Sequence, residues 1–377
     1  MPSSNNPSKQ APILIAGAGP VGLTAALELA RRGIPVRVIE KNLKRSPFSK
    51  ALGITARSLQ LLEACEVTPR LMEAGRQATD AAIRRDGKDV VRIQFKELLE
   101  PPWNFILVLP QSDTEDILET RLAELGVLVE RGVELDGLTQ HEGEVRAEVE
   151  TPEGPQTIST PYLIATDGAH STARHILGLD FPGETMEGEW SLADVRADLP
   201  IDTTGLTIDM GSERLLFAIR IRDDIYRLAS NKPEVENHLP EGSQLEEVLW
   251  QSAFTINHRQ IESYQHGRVF FAGDSAHVHS PLGGRGMNLG IDDACALVDL
   301  LSTGRLEEYA PWRQQVGAKV IRQVRFLTYI AAGVNAPARL ARNRLLPLVL
   351  HSPKARQTLA RRIVDSTRPG KAVPDQT

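Results

Sequence analysis

An unbroken apolar run, Ala11-Pro-Ile-Leu-Ile-Ala16, forms the first readable element of the chain. So short a run without polar alternation predicts a strand buried on both faces, as in a parallel sheet. From Leu23 to Arg32 alanines and leucines recur at helical spacing, and Gly33 supplies the helix end. Ile34-Pro-Val-Arg-Val-Ile39 predicts a second strand. Tyr162–Thr166 and Arg268–Ala272 are further apolar runs of the buried-strand kind. Between Gly183 and Gly267 the pattern turns to alternation, in Glu189–Val195, Gly205–Asp209, Arg214–Ile219 and Ile225–Ala229. That predicts a separate antiparallel sheet, joined by a hairpin-like stretch from Ala81 to Lys96. After Asn288, helical spacing runs to about Leu301, again from Leu306 to Ala331, and, beyond Asn335-Ala-Pro-Ala, from Arg339 to Val364.

Composition narrows the class. At about 150 residues per domain, 377 residues predict two or three domains. Hydrophobic residues make up 41%, enough for real cores, which excludes wholesale disorder. Two cysteines, Cys65 and Cys295, cannot build a disulfide framework or a zinc site. Met1–Gln10 lacks the apolar core of a secretory leader, and no apolar stretch is long enough to span a membrane. A cytoplasmic enzyme is expected.

The net charge of −6 hides a division. From Arg313 to Thr377 thirteen Lys and Arg face only Asp365 and Asp375, giving +11 there and −17 elsewhere. The expected meaning is helices packed on an acidic body, with membrane-surface contact a minority option and no nucleic-acid partner.

Between the first strand and helix lies Gly17-Ala18-Gly19-Pro20-Val-Gly22, and Glu40 closes the second strand eighteen residues after Gly22. Gly17 permits a tight turn, Gly19 lets backbone approach a pyrophosphate, and Gly22 lets helix and strand pack closely. The helix start offers free amides and a positive dipole end to phosphates. Glu40 suits the two hydroxyls of an adenosine ribose. This predicts a Rossmann-like dinucleotide site, for NAD or FAD.

Two later segments repeat the scheme of strand, glycine turn and carboxylate. One is Tyr162-Leu-Ile-Ala-Thr-Asp167-Gly-Ala-His-Ser171, and the other is Arg268-Val-Phe-Phe-Ala-Gly273-Asp274-Ser-Ala-His277. The second continues through Pro281-Leu-Gly-Gly-Arg-Gly286-Met287-Asn288 into a helix. Its glycines let a flat ring lie against backbone, and the helix start points at an electron-rich group. Asp274, at a strand end, suits a ribityl hydroxyl.

The three segments, in order and spacing, resemble the class A, para-hydroxybenzoate hydroxylase-like family of FAD-dependent aromatic and polyketide monooxygenases. Leu109–Leu118, Trp250–Ile256, Tyr309 and Arg313 join the likeness, which runs from about Pro12 to Arg313. The resemblance implies FAD, with NAD(P)H (NADPH slightly favoured) as electron donor. It implies a discontinuous FAD-binding domain over 11–80, 108–182 and 267–310. A β-sheet substrate domain over 81–107 and 183–266 is inserted into it, and a helical C-terminal segment spans 311–377.

Carried over, the likeness gives Glu40 the adenosine ribose, and Gln111 and Asp274 the ribityl side. Asp167 falls near the pyrophosphate and the nicotinamide cofactor. Pro281 to Asn288, including Gly286, borders the flavin ring, with the Met287 and Asn288 amides near its C2 carbonyl. Pro281 is the candidate for contact with the reacting centre; no catalytic side chain is identified. Lys50 stands where many relatives carry a phosphate-binding arginine. Arg57 either replaces that contact or forms a surface salt bridge.

The implied reaction hydroxylates a phenolic, aromatic or polyketide-like small molecule with O₂, through a C4a-hydroperoxyflavin. Baeyer–Villiger or epoxidising activity, and an oxygen-independent flavin reductase, are the alternatives. Trp190, Leu215, Phe217 and Tyr226 are candidate pocket liners, mostly apolar, which favours a hydrophobic, polycyclic substrate. His277 and His279 have the spacing of a metal pair on a strand, but without a third ligand no metal is expected. No GxSxG elbow accompanies Ser275, which argues against a hydrolase triad.

Overall fold

The computed structural model describes residues 11–47, 51–201, 204–211, 214–281 and 284–365. The chain is a mixed α/β protein built on two large sheets. In the first, five parallel strands lie in the order Val269–Phe271, Leu163–Ala165, Ile13–Ala16, Val36–Glu40 and Val129–Arg131. The short strand Gln265–His266 is added antiparallel at one edge. Ile13 to Ala16 are all buried, as their unbroken apolar pattern requires. Helix Pro20–Arg31 packs against helices Gln111–Glu124 and Gly286–Ser302.

An antiparallel meander of Glu134–His141, Glu144–Thr151 and Gly154–Thr160 stands beside this layer. It is not among the expected elements, although Glu144–Thr151 alternates strictly and buries Val145, Ala147 and Val149.

The second large sheet has seven strands, in the order Gln244–Phe254, Trp190–Asp198, Ile225–Ser230, Leu215–Arg222, Leu206–Met210, Asp80–Arg85 and Lys88–Gln94. The expected antiparallel pairing needs one correction. Leu206–Asp209 pairs parallel with Ala81–Arg84, so the early hairpin joins the later strands in parallel. The edge strand Gln244–Phe254 was not expected. Gln244-Leu-Glu-Glu-Val248 lacks clean alternation because the strand is largely exposed and its register slips twice against Trp190–Asp198.

Period two sorts the candidate pocket liners. Trp190, Leu215 and Phe217 lie on one face, in a cluster with Leu52, Ala56, Ile256, Ala360 and Val364. Tyr226 lies on the opposite face with Val195, Leu216 and Leu228, so its expected place in the pocket is corrected. It sits at the odd position of its strand relative to that face.

The C-terminal segment begins with helix Tyr309–Ala332, closed by Gly333 in the left-handed region at φ 61°. The expected single run to Val364 is broken. Asn335 caps a helix starting at Ala336, its side chain accepting from the Ala338 amide. Pro347 cannot donate to the Asn343 carbonyl, which accepts from Arg85 Nη2 at 2.8 Å instead. A last helix, Pro353–Val364, starts at its own proline. Among the described residues no helix is long and apolar enough to cross a membrane.

Candidate active site

The first turn shows why three glycines are needed. Gly17 has φ 103°, and a Cβ there would stand 2.5 Å from the Thr166 carbonyl oxygen. A Cβ on Gly22 would stand 1.9 Å from the Gly17 carbonyl oxygen. At Gly19 a Cβ would meet nothing within 4 Å, so this backbone faces open space. Pro20 occupies the first helical position and no side chain caps the helix. Leu23 makes the first intrahelical bond to Gly19, which leaves the Val21 and Gly22 amides without intrahelical acceptors.

Glu40 ends its strand beside this turn. One carboxylate oxygen accepts from the Ala18 amide at 3.0 Å, and the other from the Asn42 amide at 3.0 Å and its side chain at 2.6 Å. Gln111 opens helix Gln111–Glu124; its amide donates to the Ala51 carbonyl, and its side chain to Glu115 at 2.7 Å. Burial raises the Glu115 carboxyl above its ordinary value, against the pull of Gln111. Lys50 lies outside the described residues.

Asp167 follows strand Leu163–Ala165, in the second of the three glycine-turn segments. Its Oδ2 accepts from the Ala173 amide at 3.1 Å, while Oδ1 is buried without a partner among the described residues. Burial raises this carboxyl, with the Ser171 hydroxyl and Ala173 amide opposing. Such an orphan acceptor suits a ligand hydroxyl or ordered water.

Gly273 and Asp274 lie in a short 3₁₀ turn, with Gly273 at φ 66° and the Asp274 side chain exposed. Cβ atoms on Gly273 or Gly290 would press on Val21 Cγ2 at 2.8 and 2.5 Å. The third segment is therefore docked directly onto the first helix, a constraint at Gly290 that no local pattern announces. Pro281 is exposed and its carbonyl accepts from Gly284. Helix Gly286–Ser302 makes its first intrahelical bond from Leu289 to Arg285, so the Gly286, Met287 and Asn288 amides have no intrahelical acceptor.

The Asn288 side chain is a peg. Its oxygen accepts from the Thr55 amide at 2.9 Å, and its nitrogen donates to the carbonyls of Gly53 at 2.8 Å and Gly284 at 2.6 Å. Behind it runs a buried ionic chain. Arg57 pairs with Asp292 at 3.0 Å, and Arg313 bridges Asp292 at 2.7 Å and Asp293 at 2.6 Å. Asp293 Oδ2 meets His277 Nε2 at 2.6 Å and accepts from the Gly273 amide at 3.1 Å. Burial alone would raise the Asp293 carboxyl, but Arg313 and His277 outweigh it and hold it below the ordinary value.

Arg57 is thus neither a surface salt bridge nor pointed at open solvent; it faces inward from helix Ala56–Glu63. Its partner is 235 residues away in sequence, beyond the reach of pattern reading. His279 Nδ1 donates to the Ser280 carbonyl at 2.9 Å, and burial lowers its pKa to about 4. Among the described residues no group of three or more His, Cys, Asp or Glu could hold a metal ion.

These features suit a bound dinucleotide with a flat ring: open backbone at Gly19, two helix starts whose first amides have no intrahelical acceptor, and the Asp167 oxygen without a partner among the described residues. Comparison with known proteins agrees. The FAD binding domain family matches residues 10–213 and 222–324. The chain is 35% identical to a 6-methylpretetramide 4-monooxygenase of Streptomyces rimosus, over 93% of this chain and 67% of that protein. It is 33% identical to an anhydrotetracycline monooxygenase of the same species, over 83% of this chain and 68% of that one. A crystal structure of p-nitrophenol 4-monooxygenase from Pseudomonas putida superposes with TM-score 0.83 at 21% identity, covering 95% of this chain and 99% of that one; it speaks for the fold. The chain belongs to the FAD binding domain family of class A aromatic and polyketide monooxygenases.

Proposed function

We propose that this protein is an NAD(P)H-dependent FAD monooxygenase that hydroxylates a polycyclic, phenolic, polyketide-like substrate. The observation that carries this reading is the convergence of three glycine turns on the open backbone at Gly19. The tetracycline-pathway names of its relatives support the substrate class. When bound, FAD supplies the chemistry: NAD(P)H is oxidised, one atom of O₂ enters the ring as hydroxyl, and the other leaves as water.

The chain's own work is to bind, orient and exclude water. Glu40 would hold the adenosine ribose, exchanging its bonds to Ala18 and Asn42 for ribose hydroxyls. The Val21 and Gly22 amides, without intrahelical acceptors, would face the pyrophosphate, and Asp167 Oδ1 would accept from a cofactor hydroxyl or water beside it. Gln111 and Asp274 would hold the ribityl side. The loop from Pro281 to Asn288 would border the ring, its first-turn amides stabilising negative charge there. The sheet face with Trp190, Leu215 and Phe217 is apolar and suits a flat hydrophobic substrate. It also carries one buried ion pair, Arg227 to Asp194, with two contacts at 2.7 Å. The reading includes a cytoplasmic location, supported by the need for NAD(P)H.

The test is turnover of anhydrotetracycline and p-nitrophenol with NADPH under ¹⁸O₂. Substrate-stimulated NADPH oxidation with one ¹⁸O atom in the product supports the reading. Oxygen-independent turnover, or a product with an inserted ring oxygen, contradicts it.

A further inference from the structure

The loop bordering the proposed flavin site is tied to the far end of the chain. Arg285 Nη2 meets Asp365 Oδ1 at 3.0 Å, across eighty residues of sequence. Arg285 is the residue before helix Gly286–Ser302, and its carbonyl accepts the first intrahelical bond. A contact that fixes Arg285 thus adds to the Asn288 peg in holding the start of this helix, with its Gly286, Met287 and Asn288 amides.

Asp365 stands against the helix dipole at its position. It stands at the C-terminal end of helix Pro353–Val364, where the dipole disfavours an acid and where Arg361 and Arg362 already suit it. Its backbone is left-handed, at φ 56°, a conformation that favours glycine. From Tyr309 to Val364 the chain has no Asp or Glu at all, so this first acid of the basic segment meets the flavin-loop arginine. Local conflicts of this kind mark positions chosen for something other than local stability.

The helix it terminates is well placed. Ala360 and Val364 are fully buried in the cluster with Trp190 and Leu215, and Gln357 donates to the Leu98 carbonyl at 3.2 Å. Leu52 and Ala56, flanking the strand Gly53–Ile54 whose Gly53 carbonyl is bonded by Asn288, belong to the same cluster. One helix thus packs on the substrate face of the sheet and grips the flavin loop.

We propose that Asp365 is a positioning residue: through Arg285 it couples the C-terminal helix to residues 284–288 at the start of helix Gly286–Ser302, so that cofactor binding and packing of the C-terminal helix on the sheet reinforce each other. The proposal rests on the flavoprotein reading above. Binding that orders one end of such a contact must, by linkage, be strengthened by order at the other.

Hydrogen exchange of residues 353–364, with and without FAD, tests this on the full chain. FAD should slow exchange there by about threefold or more in the unaltered protein. Asp365→Asn should abolish that response and weaken FAD affinity by about five- to tenfold. Asp365→Gly suits the left-handed backbone, so it keeps the helix end while removing the carboxylate, and it should lose the response equally. The charge exchange Arg285→Asp with Asp365→Arg should restore at least part of it. Exchange that ignores FAD in a protein that binds it, or full protection retained in Asp365→Gly, overturns the proposal alone. Unaltered protein that takes up no FAD overturns the flavoprotein reading and this proposal with it.

Discussion

Around Gly19 the molecule tolerates few alternatives, whereas the sheet face with Trp190, Leu215 and Phe217 is held by contacts that many apolar side chains could make. The first region is fixed by backbone approach and pegged polar bonds: Gly22 against the Gly17 carbonyl, Asn288 across three segments, Asp293 across Gly273, His277 and Arg313. The second is fixed by volume and burial. A cofactor common to many enzymes demands the former, and a substrate that differs between relatives permits the latter.

The sharpest way to break this contrast is Gly22→Ala. Its Cβ would overlap backbone that cannot retreat, so FAD uptake should be lost and stability should fall by several kcal/mol, on the order of 3 or more. Flavin absorbance per chain and a thermal melt check both. Next comes Arg313→Met, which leaves the buried Asp293 facing no guanidinium and Asp292 only that of Arg57. Removing one partner of a buried pair costs about 3–5 kcal/mol, measurable by urea unfolding at pH 7.

The same network gives a pH signature. Asp293 has a folded pKa below its unfolded one, so its contribution is present above the unfolded value and is lost as pH falls through the folded one. His279 acts at higher pH. With a folded pKa near 4 against about 6.5 unfolded, its contribution is full above pH 6.5 and lost as pH falls towards 4. His279→Gln should therefore flatten part of the stability loss in that window, on the order of 1–2 kcal/mol given its partial access to solvent.

The smallest effects belong to the sheet. Phe217→Leu should cost about 1.5 kcal/mol or less, yet change KM for a bulky aromatic. Tyr226→Phe, on the opposite face, should leave KM unchanged. If Tyr226→Phe moved KM as much as Phe217→Leu, the division of the sheet into two faces would be wrong.

The difference between the regions also explains what was legible in the sequence. The Gly17–Gly22 turn could be read because each glycine answers a constraint within a few residues. Alternation revealed Trp190–Val195 and Ile225–Ala229 as strands. It could not place Tyr226, because a face is defined only once the neighbouring strand's register is known. Gln244–Phe254 escaped because an exposed, bulged edge need not alternate. The parallel pairing of Leu206–Asp209 with Ala81–Arg84 and the pairing of Arg57 with Asp292 join residues more than a hundred positions apart. Nothing local encodes those contacts; only the closed fold creates them.

The open backbone at Gly19 and its surrounding turns are proposed to hold FAD. Titration of the purified full chain with FAD, followed by quenching of flavin fluorescence, measures it directly. One FAD bound per chain, with binding lost in Gly22→Ala and preserved in Tyr226→Phe, is the predicted result. A folded protein that leaves flavin fluorescence unchanged would contradict it.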